Sequence, residues 1–299
     1  MKERIVGDPK PTPTPRRVAV VTVSYGSDDV LGPFLASIPA ASVHPVRVVV
    51  ADNKPSTLSD QVIRMSHDAG AEYIPLSDNL GYGHAINAAV RSLPLDVEWI
   101  VVSNPDVTLS AGSIDMLVNS AADDFSVAAI GPRILSSDGE VYPSARAIPS
   151  LRSGVGHALL ANLWPTNPWT RVYRRSTGSA LVRRDTGWLS GAFLMVRRST
   201  FTQLRGFDES YFMYFEDVDL GYRIGKLGLR NVYEPAASVT HTGAHSTQDD
   251  AARMIQAHHE SAMKFLSKKY SGVMLWPLRA ALGAGLGVRA RMAARRPHT

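Results

Sequence analysis

The chain has no cysteine. That excludes disulfides, Cys-ligated zinc, iron–sulfur clusters and thiol nucleophiles, and it fits a reducing compartment. The N-terminus, MKERIVGDPKPTPTPRR, lacks the apolar centre of a signal peptide. Its alternating proline and threonine predict an extended, solvated leader over residues 1–15. From Gly272 onward there is no aspartate or glutamate, and Arg279, Arg289, Arg291, Arg295 and Arg296 account for the whole formal net charge of +5. The remainder is near neutral, which argues against a nucleic-acid-binding domain. There is no internal repeat, and no Walker A loop of the kind a P-loop kinase needs.

What is present is ordinary globular material: 299 residues, 44% apolar and 20% charged. That length can form one large α/β domain or two domains. RRVAVVTVSY (16–25) and VRVVVADN (46–53) read as buried strands, AEYIPL (71–76) as a weaker one, and EWIVVSNPDV (98–107) as a fourth. Between them lie helical patterns from Asp28 to Ile38, over 59–70 and over 81–93. Strand–helix alternation predicts a parallel sheet with helices on both faces. Ligands bind such sheets beyond the carboxyl ends of the strands. Thr22, Ser24, Tyr25, Asp52, Asn53, Asn79, Asn104 and Asp106 all fall at that edge.

The second half is less regular. AAIGPRIL (128–135) reads as a strand, and 150–185 as a long loop or mobile helical segment suited to a lid. GWLSGAFLMVRR (187–198) predicts one strong strand, followed by a short helix capped by Ser199 or Thr200. EDVDLGYRIGKLG (216–228) predicts a helix stopped by Gly228, NVYEP and ASVTH two short strands, and 247–270 a further helix.

Four features carry chemistry. GYGHAIN resembles a dinucleotide fingerprint but fails it, because Ile86 stands where the third small residue belongs. A helix start receiving a phosphate or sugar, or an ordinary helix start, both fit. In NPD, Asp106 is either a divalent-metal ligand or the cap of a turn. His241 is either a loop residue or its partner around Mn²⁺ or Mg²⁺. In YFMYFEDVD (211–219), aromatic rings run into Glu216, Asp217 and Asp219. Apolar neighbours raise a carboxylate's pKa and suit a general base, whereas a helix start lowers it. Asp219 and Arg223 are spaced for a salt bridge.

In order along the chain stand TVSYG, ADN, NLGYGHAIN, NPDV, WLSGAFLMVRR, GFDESYFMYFEDVDLGYR and THTG. As a set, over residues ~17 to ~245, they resemble the family-two inverting nucleotide-sugar glycosyltransferases. Within that family they look most like bacterial rhamnosyltransferases, notably the mycobacterial kind that builds the arabinogalactan linker on N-acetylglucosaminyl-diphosphate-polyprenol. The resemblance implies a Rossmann-like A-type (GT-A) α/β fold over 16–245. A nucleotide-binding half (16–108) would be followed by an acceptor and catalytic half (109–245). It implies a nucleotide-sugar donor, suspected to be dTDP-L-rhamnose, a polyprenyl-diphosphate-linked acceptor and a divalent cation, Mn²⁺ or Mg²⁺.

It also implies roles. Asp217 is the base. Thr22, Ser24, Tyr25, Asp52, Asn53, Asn79, Gly81, Gly83, Asn87 and Asn104 hold the donor. Trp188, Ser190, Gly191, Glu216 and Asp219 sit under the sugars, with the 211–215 rings as a platform. Asp106 and His241 hold the metal. Two departures stand out: Asn104 replaces the first acid of the family's Asp-x-Asp, and the serine of DNKPS arrives one residue late. A transferase using a UDP-sugar donor for polysaccharide or O-antigen, a nucleotidyltransferase, and an inactive sugar-nucleotide-binding membrane scaffold remain the rival readings.

The tail GVMLWPLRAALGAGLGV (272–288) is apolar apart from Arg279, and is shorter than the ~20 residues of a spanning helix. With its basic end it predicts C-terminal helices (246–299) that contact the inner face of the cell membrane from the cytoplasm; packing on the core is the alternative. A homo-oligomer is compatible with all of this.

Overall fold

The computed structural model describes residues 17–54, 60–150, 181–243 and 251–272. The expected leader, most of the 150–185 loop and nearly all of the apolar tail lie outside the described residues.

The first half follows the alternation in the sequence. Strands β1 (Val18–Ser24), β2 (Val46–Asp52), β3 (Glu72–Pro75) and β4 (Trp99–Ser103) pair in parallel, in the order β3-β2-β1-β4. Between them lie helices α1 (Leu31–Ala41), α2 (Asp60–Asp68) and α3 (Tyr82–Ser92). Alternate residues of β1 serve two cores, as the two-residue period of a strand requires. Val18 and Val20 pack with Leu31, Phe34 and Ile38 of α1, while Ala19, Val21 and Val23 pack with Ala85, Ile86 and Ala89 of α3.

Beyond Ser103 the path departs from the expectation. The EWIVVSNPDV segment is not one strand. It ends at Ser103, turns through Asn104-Pro105, and resumes as β5 (Val107–Leu109) at the far edge of the sheet. Helix α4 (Ser113–Ala121) leads to β6 (Val127–Leu135) and two short strands, β7 (Val141–Tyr142) and β8 (Ala145–Arg146). Next come β9 (Arg184–Thr186), β10 (Trp188–Leu189), β11 (Phe193–Arg197), α5 (Arg198–Gln203), α6 (Glu216–Lys226), β12 (Arg230–His241) and α7 (Ala251–Lys269). The main sheet runs β3-β2-β1-β4-β11-β6-β12-β5, with β11 antiparallel to both of its neighbours.

Three expectations change. GWLSGAFLMVRR is broken at Ser190–Ala192: β10 pairs with β8 in a separate two-stranded sheet, and only β11 enters the main one. The two short strands expected at 231–241 are one strand, with a register shift between Glu234 and Ser238 around Pro235, which has no N–H for the ladder. Helix α5 starts at Arg198 without a side-chain cap, so neither Ser199 nor Thr200 caps it.

Candidate active site

Strand register builds the first wall. Ser24 is level with Asp52, and Thr22 with Ser103, at the carboxyl ends of β1, β2 and β4. The hydroxyls of Thr22 and Ser24 are buried and meet no partner among the described residues. Asp52 is held at both oxygens: it accepts from the Tyr73 hydroxyl at 2.9 Å and from the Lys54 N–H at 3.0 Å. Burial and this bond to Asp52 push the Tyr73 hydroxyl pKa well up, so Tyr73 stays a donor. The sequence pattern did not single Tyr73 out; its only signal is its place on a strand beside the Asp52 strand. Tyr25 is exposed, with the Lys54 ammonium 5.4 Å from its ring centre.

The glycine-rich start of α3 has a different role from the expected cradle. Gly81 has φ +105°, and an added Cβ would stand 2.2 Å from the Phe212 carbonyl oxygen. The Tyr82 N–H donates to that same oxygen at 3.0 Å. The Asn79 side chain accepts from the Gly81 N–H at 3.1 Å, and the Asn53 amide donates to the Gly81 carbonyl at 3.4 Å. At Gly83 a Cβ would lie 3.0 Å from Phe207. These glycines let the helix start press against the 207–216 loop. Asn87 also serves that loop: its amide donates to the Phe207 carbonyl and Glu209, and accepts from the Phe207 N–H. It is 5% exposed, and its side-chain hydrogen-bond partners are in the 207–209 loop rather than among the residues at the sheet edge.

A second wall is made where β5 pairs antiparallel with β12. His241 stands opposite Val107, which places its ring beside Asp106. The His241 Nε2 lies 3.1 Å from Asp106 Oδ1 and 3.4 Å from the Asn104 amide nitrogen. A 3.1 Å gap suits a hydrogen bond. It also matches two adjacent ligands of an octahedral cation at ~2.1 Å, which stand roughly 3.0 Å apart. Among the described residues no group of three or more His, Asp or Glu side chains is placed to hold a metal ion. Two protein ligands with the balance from phosphate oxygens and water is the usual arrangement for such an ion, so the donor set fits.

Between the walls lies the acid pair. The break at Ser190–Ala192 exposes a turn whose Gly191 N–H donates to Asp217 Oδ2 at 2.9 Å. The Val218 N–H donates to Oδ1 at 2.8 Å. The Tyr82 hydroxyl donates to the Gly191 carbonyl at 3.0 Å, and the Asn104 N–H donates to the Ala192 carbonyl at 2.9 Å. Thus α3, the β4 end and the turn lock together around Asp217. Ser190 is buried and supports the turn through a 3.3 Å bond from the Ala192 N–H to its hydroxyl.

Burial raises the Asp217 pKa, opposed by the two N–H donors and the charge of Arg146. Burial, then the Asp217 charge, pushes Glu216 up to about 8. Burial therefore outweighs the helix start. Near neutral pH Glu216 keeps its proton, and Asp217, with two N–H donors, is the member of the pair that ionises first. The residues before the helix, Tyr214 and Phe215, both have φ +68°, a conformation aromatic residues rarely adopt and one that clusters at functional sites.

Two expected members stand apart. Asp219 is 4% exposed and pairs with Arg223 at 2.5 Å, and Arg223 also donates to the Leu204 and Gly206 carbonyls. It ties α6 to the preceding loop. The aromatic run packs mainly on the core and on α7: Tyr211 is fully buried yet feels the charges of Asp219 and Glu216, and Phe215 packs on His258 and Phe265 of α7. Instead the ring of Tyr82 approaches Gly191 and Asp217, and Trp188 packs on α6 at Gly221, its indole N–H on the Ala147 carbonyl at 3.2 Å. Arg146, opposite Trp188 in the β8–β10 pair, completes this wall. Sequence reading missed Tyr82 as a wall residue and Arg146 altogether.

No helix among the described residues is long and apolar enough to cross a membrane. The chain is 44% identical to the N-acetylglucosaminyl-diphospho-decaprenol L-rhamnosyltransferase of Mycobacterium tuberculosis, over 92% of each chain. It is 30% identical to the rhamnosyltransferase WbbL of Escherichia coli (strain K12), over 84% of this chain and 93% of that one. Its fold is similar to a mannosyltransferase from Pyrobaculum calidifontis in complex with GDP-Man and Mn²⁺, with a TM-score of 0.58 at 17% identity, over 96% of this chain and 74% of the other. Residues 15–259 match the profile of the family described as Glycosyltransferase like family 2, and the chain belongs to that family.

Proposed function

We propose that this glycosyltransferase moves L-rhamnose from dTDP-L-rhamnose to the N-acetylglucosamine of a polyprenyl-diphosphate-linked acceptor, with inversion. The chemistry rests on Asp217, part-buried, aimed by the Gly191 N–H and joined to the Asp106–His241 pair through Asn104, which bonds the Ala192 carbonyl and lies 3.4 Å from His241. The choice of sugar and acceptor rests on the 44% identity over nearly the whole of both chains.

The ionised Asp217 takes the proton of the acceptor hydroxyl as that oxygen bonds to the anomeric carbon. The bond from that carbon to the diphosphate oxygen breaks, and the nucleoside diphosphate leaves from the opposite face. Gly191 and Val218 keep the carboxylate oriented, and a raised pKa makes it a better base. Glu216, protonated near neutral pH, limits the charge of the pair. Thr22, Ser24 and Asp52 line the donor's side, and Trp188 and Tyr82 exclude water that would hydrolyse the donor. Asp106 and His241 would hold a divalent cation, which would supply charge neutralisation for the leaving diphosphate. The apolar, basic composition of the tail supports a peripheral position on the inner face of the cell membrane, suited to a polyprenyl-linked acceptor.

The test is product analysis. Protein with Mg²⁺ or Mn²⁺ is given dTDP-L-rhamnose or a UDP-sugar with a lipid-diphosphate N-acetylglucosamine. Rhamnosylated lipid with inverted anomeric configuration is expected from dTDP-L-rhamnose alone. Transfer only from a UDP-sugar discards rhamnose, and no transfer from any donor discards the enzyme reading.

A further inference from the structure

Arg146 is anchored at its base and open at its head. Its carbonyl accepts from the Gly187 N–H and the Thr186 hydroxyl, both at 2.9 Å. Its Nε donates to the Pro143 carbonyl at 2.7 Å. The guanidinium carbon lies 5.8 Å from the ring centres of both Tyr142 and Trp188, so it is held between two aromatic faces. Among the described residues it forms no salt bridge, and its terminal Nη groups meet no acceptor. The Tyr142 ring is in turn 6.5 Å from the His241 ring. On the other side, the Arg146 charge reaches Asp217. The guanidinium is thus connected to His241 through the Tyr142 ring, and its charge is felt at the base.

The carboxylates that face it are Asp106 and Asp217, Glu216 keeping its proton near neutral pH. A ligand bearing two phosphates is repelled by them unless a cation meets it. A fixed arginine fork with free N–H groups is the side chain best matched to phosphate oxygens. We infer that Arg146, preorganised between Tyr142 and Trp188, binds a diphosphate group in this site through its free Nη atoms. This rests on the function above only in that both substrates carry a diphosphate, so the group is either the donor's or the acceptor's.

The experiment compares wild type with Arg146→Gln and Arg146→Lys. Titration with inorganic diphosphate and Mg²⁺ is expected to show roughly tenfold or greater weakening in Arg146→Gln and a smaller loss in Arg146→Lys. That readout needs no turnover, so failed rhamnosyl transfer would sink the functional reading without touching this one. Titration with dTDP, and KM for a lipid-diphosphate acceptor against an octyl N-acetylglucosaminide, name the source. Weaker dTDP binding assigns the donor's diphosphate. A higher KM for the lipid-diphosphate acceptor alone assigns the acceptor's. Thermal unfolding checks that the variants fold; if the glutamine variant does not, the lysine variant decides. Diphosphate affinities within about twofold of wild type in the folded variants overturn the inference.

Discussion

From β3 to β4 the sheet edge is made by four parallel strands in register, and its polar residues stand where the strands end. In the second half three site residues stand on interruptions. Asp106 follows a strand cut at Ser103, Gly191 lies in a turn that splits an apolar run, and Asp217 follows two left-handed aromatic residues. The regular half supplies hydroxyls and a carboxylate with little strain, as suits binding. The irregular half aims one part-buried acid with two N–H donors, as suits a reacting group whose geometry has to be over-determined. The two halves meet where Gly81 touches Phe212 and where Tyr82 reaches Gly191.

If that division is right, damage to the irregular half removes turnover and damage to the regular half weakens binding. The largest effect belongs to Asp217→Asn, which should lower kcat by about 100- to 10,000-fold, the contribution of a general base. dTDP affinity by calorimetry should stay near wild type; a variant that turns over normally would remove Asp217 from the mechanism.

Next is the seam. Gly81→Ala puts a Cβ against a backbone carbonyl at a φ that disfavours side chains, and should cost about 3 kcal/mol or more of stability in denaturant unfolding. Asn79→Ala, which removes one bond to the same glycine, should cost about 1 kcal/mol.

A third prediction concerns pH. Glu216 titrates at about 8 in the folded protein against an ordinary 4.5, so the folded state retains a proton that the unfolded chain releases in that interval. Stability from this group is full below the ordinary value, declines as pH rises, and is lost above 8. Tm should therefore fall between pH 5 and 8 in wild type, and Glu216→Gln should flatten that fall. An unchanged slope would mean that Glu216 is not kept neutral.

The smallest effect is on the regular half. Tyr73→Phe removes one bond to Asp52 and should weaken dTDP binding only a few-fold. A large loss of kcat there would break the division between binding and catalytic halves.

How much could be read beforehand differs in the same way. The first four strands and their helices followed from β-branched runs and helical spacing, because a buried parallel sheet needs continuous apolar strands. The breaks did not follow. WLSGAFLMV is apolar almost throughout, and nothing local marks Gly191 as a turn rather than a strand residue; the turn exists because Gly191 must meet Asp217 and Tyr82. Asn87 and Asp219 were assigned to ligands on motif position, yet both tie the 204–209 loop to helices, a use that contact across more than a hundred residues, or a loop carbonyl set, alone reveals. Arg146 lay in a Pro- and Ser-rich stretch with no periodicity to distinguish it.

By itself the sequence determined the parallel core, the family motifs and which acids were available, since periodicity and residue type are local properties. Only the tertiary structure decided which of those acids are buried, which are already paired, and which stand open beside one another. The Asp106–His241 pair shows why. Its members are far apart in the chain and meet only because β5 lies antiparallel to β12, with His241 opposite Val107. That pairing is chosen by the packing of the whole sheet.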